Sequence, residues 1–240
     1  MLAFICDTRH NVHGVTETLP MKLVPHRTVG RLSLYCRILR DLGAESGSHI
    51  YSHALAVKAG VTAAQVRRDL MVTGYTGTPV HGYEIQKLRR HIEDFLFPAT
   101  EERAALAGVG NMGRAILAFF AGRRPTLKIS ASFEKDPEKY DRIIGGCPCF
   151  SIAKAESVIR DKGITVGIIA VPMEEAQYVA SVFVSAGIRG ILNFARTPLQ
   201  VPPEIYVEYI DLAMAMDKVA YFARRAHRSE GKLPEEESQP

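Results

Sequence analysis

The chain has no tryptophan, and its four cysteines, Cys6, Cys36, Cys147 and Cys149, are too few and too unevenly spaced for a disulfide framework or a paired CxxC zinc site. That sets aside the small secreted scaffolds and the structural zinc proteins. Cys147-Pro148-Cys149 leaves a metal or redox role open, but two ligands one residue apart are poorly placed for a tetrahedral ion. The plainer reading is two small residues at the edge of a strand. No apolar run approaches the ~18 residues of a membrane span, and the first twenty residues lack the basic start and apolar core of a secretory leader. No membrane partner is expected, and the cytoplasm is the expected compartment. Histidine is scarce in the second half, where only His227 follows His91.

What is present is ordinary for a globular protein: 47% hydrophobic and 23% charged residues in a chain of 240. That length suits two small domains, each with its own core. The net charge of +4 is unevenly spread. Residues 1–100 hold 12 Lys+Arg against 8 Asp+Glu, and the remainder holds 18 of each, so the whole excess lies in the first part. A basic N-terminal half favours a polyanionic partner there.

Hydrophobic periodicity organises the chain. Residues 1–20 show no period and read as an arm. From Thr28, the residues Val29, Leu32, Leu34, Tyr35, Ile38, Leu39 and Leu42 recur at helical spacing, with Gly43 as a stop. A second helix is expected over 51–59, closed by Gly60. A third carries Ala63, Val66, Leu70 and Val72 behind Thr62, whose hydroxyl can cap a free N–H of the first turn. Helix, glycine-containing turn and helix make a helix-turn-helix. The three glycines and one proline of 74–82 suit a hairpin wing, and 83–97 reads as a further helix broken by Pro98.

After a polar linker, strands and helices alternate: strands at 104–107, 127–133, 165–171 and 190–193, and helices at 112–120, 153–161 and 174–186. That order implies a parallel sheet covered on both faces. One more strand, 206–209, precedes a last helix. The expected fold class is α/β: a winged-helix domain (21–98), a Rossmann-type doubly wound domain (99–210), a C-terminal helix (211–227) and a disordered tail (228–240).

Gly108-Val109-Gly110-Asn111-Met112-Gly113 matches GxGxxG between an expected strand and helix, the setting in which the motif binds a dinucleotide. A side chain at the second glycine would hold a pyrophosphate away from the helix N-terminus. The next strand ends at Glu134, about twenty residues on, where such sites place a carboxylate for the ribose hydroxyls. Glu134 favours NAD(H) over NADP(H), and Lys135 beside it could soften that preference. Val171-Pro172 and Asn193-Phe194-Ala195 end strands at the ligand edge and suit a nicotinamide or ribose wall.

No general acid is evident near this loop, which favours sensing over catalysis. Tyr83-Glu84-Ile85-Gln86-Lys87 spells the Tyr-x-x-x-Lys of short-chain dehydrogenases but precedes the glycine loop, so it reads as chance, with Tyr83 in a core. In the third helix, Gln65, Arg67, Arg68 and Asp69 lie between the apolar positions. Arginine can pair with guanine or clamp phosphate, and glutamine can pair with adenine, so this helix suits a major groove.

With these stretches in order, the chain resembles the Rex family of redox-sensing transcriptional repressors from about Val24 to Arg224. The resemblance is carried by Arg31-Leu32-Ser33-Leu34-Tyr35, Gln65-Val66-Arg67-Arg68-Asp69-Leu70, the glycine loop, Asp136-Pro137-Glu138-Lys139 and the segment Gly187–Ala195. It implies a homodimer that holds operator DNA when NAD+ is bound or NADH is scarce and lets go as NADH rises. It adds Arg31 to the DNA-binding set. It further implies a C-terminal helix swapped between subunits, and a state-dependent ion pair between Arg37 and Asp211. The wing departs from the family pattern: Val72-Thr73 stand where an aromatic pair is usual, and Thr78-Pro79 where basic residues are. Glu134 replaces the usual aspartate. The alternatives are a Rex-like NAD(H) sensor without specific DNA binding, a Rossmann oxidoreductase, and a CoA-binding protein using the same loop.

Overall fold

The computed structural model describes residues 24–42, 49–78, 81–97, 101–122 and 127–230. The expected arm, Gly43, Pro79, Pro98, Cys6 and the tail beyond 230 lie outside the described residues. The chain divides into two compact units, Met1–Ala99 and Thr100–Pro240.

Among the described residues of the first unit, four helices surround one core: α1 (His26–Asp41), α2 (Ser52–Ala59), α3 (Ala63–Val72) and α4 (Ile85–Leu96). Their apolar stripes meet at Leu32, Tyr35, Leu39, Leu55, Val66, Leu70, Leu88 and Ile92, all essentially buried. Gly60 closes α2 in the left-handed conformation that glycine adopts without strain, and Thr62 Oγ accepts from the Gln65 N–H at 3.1 Å to start α3. The expected helix at 83–97 begins later. Tyr83 and Glu84 form a strand, β2 (Tyr83–Glu84), antiparallel to β1 (His49–Ile50). Pairing with β1 supplies the tertiary bonds that helical periodicity cannot reveal. Thr78 and Gly82 exchange backbone hydrogen bonds of 3.1 and 2.8 Å, which makes the base of the hairpin. Tyr83 lies in the core, and Lys87 pairs with Glu84 at 2.7 Å, so the Tyr-x-x-x-Lys spacing has a packing explanation.

The second unit is a seven-stranded sheet in the order β5-β6-β4-β3-β7-β8-β9. Its strands are β3 (Glu102–Ala107), β4 (Leu127–Glu134), β5 (Arg142–Ile144), β6 (Cys147–Ser151), β7 (Val166–Ile169), β8 (Gly190–Asn193) and β9 (Tyr206–Tyr209). All neighbours are parallel except β5 with β6. Without β5 this is the doubly wound dinucleotide-binding order, reversing direction between β3 and β7. Alternate residues of β3 serve the two faces. Ala105 and Ala107 join Phe133, Ile159 and Phe183 beneath α6 (Ala155–Asp161) and α7 (Met173–Ala186). Ala104 and Leu106 join Ile116 and Leu117 of α5 (Asn111–Phe120) on the other face.

Two further expectations are corrected. The β5–β6 hairpin, turning at Gly145-Gly146 with positive φ at both, was not anticipated. It makes β6 an inner strand; Cys147 is the first residue of that strand, and both Cys147 and Cys149 are buried. No cluster of three or more metal-ligating side chains occurs among the described residues. The last helix, α8 (Leu212–Glu230), runs past the expected stop and takes in residues assigned to the tail. Every α8 side chain from 212 to 224 is exposed, including Leu212, Met216, Val219, Tyr221 and Phe222.

Candidate functional site

The glycine loop leaves the end of β3 at the point where the sheet reverses. Its three glycines have three different reasons. Gly108 has φ +88°, and a Cβ there would come within 2.5 Å of the Ala170 carbonyl oxygen. A Cβ on Gly113 would collide with the Gly108 carbonyl, so this glycine lets α5 pack on the loop. Gly110, the N-cap of α5, has an ordinary φ of −68° and nothing within 4 Å of where its Cβ would stand. Neither backbone conformation nor internal packing therefore calls for glycine at 110. What its lack of a side chain provides is open space at a helix N-terminus, where unpaired N–H groups and the helix dipole attract a phosphate.

That space opens into a cavity of about 670 Å³ walled by Gly108, Gly110, Phe133, Glu134, Val171 and Pro172. The size suits a small-molecule or cofactor site. Glu134 sits at the tip of β4, and its carboxylate accepts the Val109 N–H at 3.1 Å and the Lys135 N–H at 3.0 Å. The carboxylate is thereby fixed beside the loop, as recognition of a ribose diol requires. Lys135 does not lean on Glu134: its ammonium donates to Glu175 Oε1 of α7 at 2.6 Å.

Sequence reasoning missed Glu175 and Tyr178, which line the cavity from α7. Helical periodicity places them on the polar side of that helix but gives no hint that the side faces a ligand. Asn193 departs from its expected place. It is fully buried, with its amide donating to the Thr197 carbonyl at 3.0 Å and its oxygen accepting the Ala195 N–H at 2.9 Å. Its side chain shapes the 193–197 turn. Phe194 packs against the α5-side core, and Ala195 is buried among the α7-side residues. Of the loop's own expected contacts, Val109 is buried while Asn111 and Met112 are exposed at the start of α5.

On α3, Arg67 and Arg68 are exposed, and Arg67 Nη1 donates to Ser52 Oγ at 3.0 Å. Asp69, one residue further, faces inward and is 2% exposed. Four side chains converge on it. Arg31 grips it with Nε at 2.6 Å and Nη2 at 2.7 Å, Tyr35 donates its hydroxyl at 2.9 Å, Gln65 its amide at 2.8 Å, and Thr28 lies at 3.4 Å. Burial pushes the Asp69 carboxyl up, but the hydrogen bonds from Arg31, Gln65 and Tyr35 outweigh it and hold the group below its ordinary value. Burial, then the bond to Asp69, raises the Tyr35 hydroxyl far above its usual range.

Arg31, expected to face DNA, ties α1 to α3 through Asp69 while keeping 24% of its side chain exposed, and Gln65 shares that tie through its amide. The remaining pair is divided between the units. Arg37 is exposed on α1, and Asp211 accepts the Met214 N–H at 2.9 Å as the cap of α8.

A helix-turn-helix unit with two exposed arginines on its third helix, joined to a doubly wound unit with an open glycine loop and an adjacent carboxylate, defines a DNA-binding regulator with a nucleotide-sensing domain. Comparisons with known proteins agree. Residues 23–70 match the family model "putative DNA-binding protein N-terminus", and residues 99–197 match "CoA binding domain". The redox-sensing transcriptional repressor Rex of Roseiflexus sp. (strain RS-1) is 38% identical over 205 residues, covering 85% of this chain and 93% of that protein. The repressor of the same name from Chloroflexus aurantiacus is 39% identical over 203 residues, covering 85% and 96%.

Among solved structures, RSP, a Rex-family repressor, is similar in its complex with NAD+ and operator DNA, with a TM-score of 0.79, 27% identity, and 89% of this chain and 100% of that one covered. Its complex with NADH is similar with a TM-score of 0.76, 27% identity, and coverage of 87% and 98%. The chain belongs to the Rex family of redox-sensing transcriptional repressors, a family of regulators and not of enzymes.

Proposed function

We propose that the protein is a homodimeric repressor that holds operator DNA while NADH is scarce and releases it as NADH rises relative to NAD+. The observation that carries the reading is Gly110: an open helix N-terminus facing a cavity beside a fixed carboxylate, in a chain that also bears an arginine-exposing recognition helix. The backbone of Gly108–Gly113 would receive the pyrophosphate and Glu134 the adenosine ribose diol. Val171 and Pro172 would line the path toward the nicotinamide. NAD+ and NADH differ in the charge and shape of that ring, so one cavity can bind them with different preference for two dimer arrangements, and that difference is what shifts an equilibrium.

The carboxylate also speaks against CoA in the same loop, because the adenosine ribose of CoA is phosphorylated and Glu134 would repel it. Arg67 and Arg68 are the cations through which α3 would meet the duplex, with Gln65 beside them. The exposed apolar side chains of α8 support a partner subunit covering that helix, by exchange of the helix between subunits as the family resemblance implies. In that dimer Arg37 and Asp211 would pair in one of the two states. A repressor of operator DNA would act in the cytoplasm, and no helix of the described residues is long and apolar enough to cross a membrane.

Fluorescence anisotropy of a labelled palindromic operator tests this. Tight binding by the protein alone or with NAD+, lost on adding NADH, is the expected result. NADH binding by calorimetry without any sequence-specific operator binding would overturn the repressor reading in favour of a DNA-blind sensor. Sustained NADH oxidation with carbonyl substrates would overturn it in favour of an oxidoreductase.

A further inference from the structure

A lysine directly after the ribose carboxylate of a dinucleotide site is unexpected in a protein selective for NAD(H). In this class of site a cation near the end of the second parallel strand is what accommodates the 2′-phosphate that distinguishes NADP(H). Lys135 occupies that position, with its backbone N–H bonded to Glu134, and lines the same cavity. Its ammonium is nonetheless drawn across to α7, where Glu175 Oε1 accepts from it at 2.6 Å.

Glu175 is itself a wall of the cavity and the second of two consecutive acids in the first turn of α7. The cation is therefore both displaced and neutralised, and a second carboxylate is added to the surroundings of the phosphate's place. The hydrogen bond to Glu175 also raises the Lys135 ammonium above its ordinary pKa.

We propose that the Lys135–Glu175 pair is the specificity latch of this site, with Glu175 holding Lys135 away from the 2′ position so that the phosphorylated dinucleotide is refused. Glu134 alone repels a 2′-phosphate; a released Lys135 would counter that repulsion. The proposal rests on the reading of the cavity as an NAD(H) site and names the residues that decide between NADH and NADPH there. Because the pair is partly exposed, its strength as a bond is small. Its effect comes from where it puts the charge.

The test is calorimetric titration of the full-length protein with NADH and with NADPH, for the wild type, E175Q, K135A and the double variant. Release of Lys135 in E175Q should move the NADPH-to-NADH affinity ratio toward NADPH on the order of tenfold, and the shift should vanish in the double variant, where Lys135 is gone and the cavity's other lysine, Lys139, stays paired with Asp136 as in the wild type. An unchanged ratio in E175Q, with NADH bound by the wild type, overturns the latch alone. A shift that persists in the double variant also overturns it, because the effect would then come from the removed carboxylate and not from the lysine. Failure of the wild type to bind NADH overturns the reading of the cavity, and the latch with it.

Discussion

A carboxylate shut away from water is stable as an ion only where donors replace its lost hydration, and Asp69 meets that condition with two bonds from Arg31 and one each from Tyr35 and Gln65. Removing the charge leaves Arg31 half-desolvated without its partner. D69N should cost the first unit about 3 kcal/mol in chemical denaturation, at the lower end of the range for a broken buried pair because Arg31 keeps some contact with solvent.

The pH dependence follows from the direction of the shift. The Asp69 carboxyl is held below its ordinary 3.8 in the folded state, so its contribution is complete above that value and drains away as pH falls through the folded pKa. The stability gap between wild type and D69N should therefore be constant near neutrality and narrow below about pH 4; a gap that widened in acid would count against the assignment. Sequence alone could not reveal this hub. A charged residue among arginines on an amphipathic helix ordinarily belongs to the solvated face, and only the packing of α1 shows that position 69 has turned inward.

The glycine loop makes its sharpest statement at the level of the element, where substitutions one turn of helix apart should fail differently. G110A places its Cβ in open space at an ordinary φ, so the protein should lose less than about 1 kcal/mol of stability while NADH affinity falls tenfold or more by calorimetry. G113A drives a Cβ into the Gly108 carbonyl, and about 3 kcal/mol of overpacking should appear as a lowered melting temperature even without ligand. If both variants merely unfolded the domain, Gly110 would be a packing residue and not a place kept for a phosphate.

The long elements were legible because each has one strong period: α1, α3, α5 and α7 carry regular apolar stripes, and β3, β4 and β7 are short apolar runs between turn signals. The elements that were missed have no such period. β1 and β2 are two residues each and exist through each other, while β6 is interrupted by Pro148, whose carbonyl accepts the Ser132 hydroxyl at 3.2 Å. The candidate site was legible as far as its backbone logic, the glycines and Glu134. The α7 wall was not, since which side of a helix faces a ligand is decided by how the helix lies on the sheet.

For the whole molecule, the exposed face of α8 has consequences for assembly. Charging its centre with M216D and V219D should leave each unit folded, since neither side chain is buried within the chain. The same change should shift the protein from dimer to monomer in light scattering and weaken operator binding at least tenfold, because two linked half-site contacts become one. A dimer that survived both aspartates would place the subunit interface elsewhere.

The tie at Asp69 has a mechanical meaning at this scale. Arg31 and Arg37 stand on the same helix, about 9 Å apart along its axis, and the Arg31 end is clamped to the helix that carries Arg67 and Arg68. A clamped joint does not slip. If Arg37 pairs with Asp211 as proposed, a pull there would not be spent in sliding α1 over α3 but would turn the two together as a crank, carrying Arg67 and Arg68 with them. In a symmetric pair of such cranks, a small rotation of each would change the span between the two arginine-bearing helices. A duplex whose half-sites repeat at a fixed helical pitch would then be gripped or dropped by distance alone.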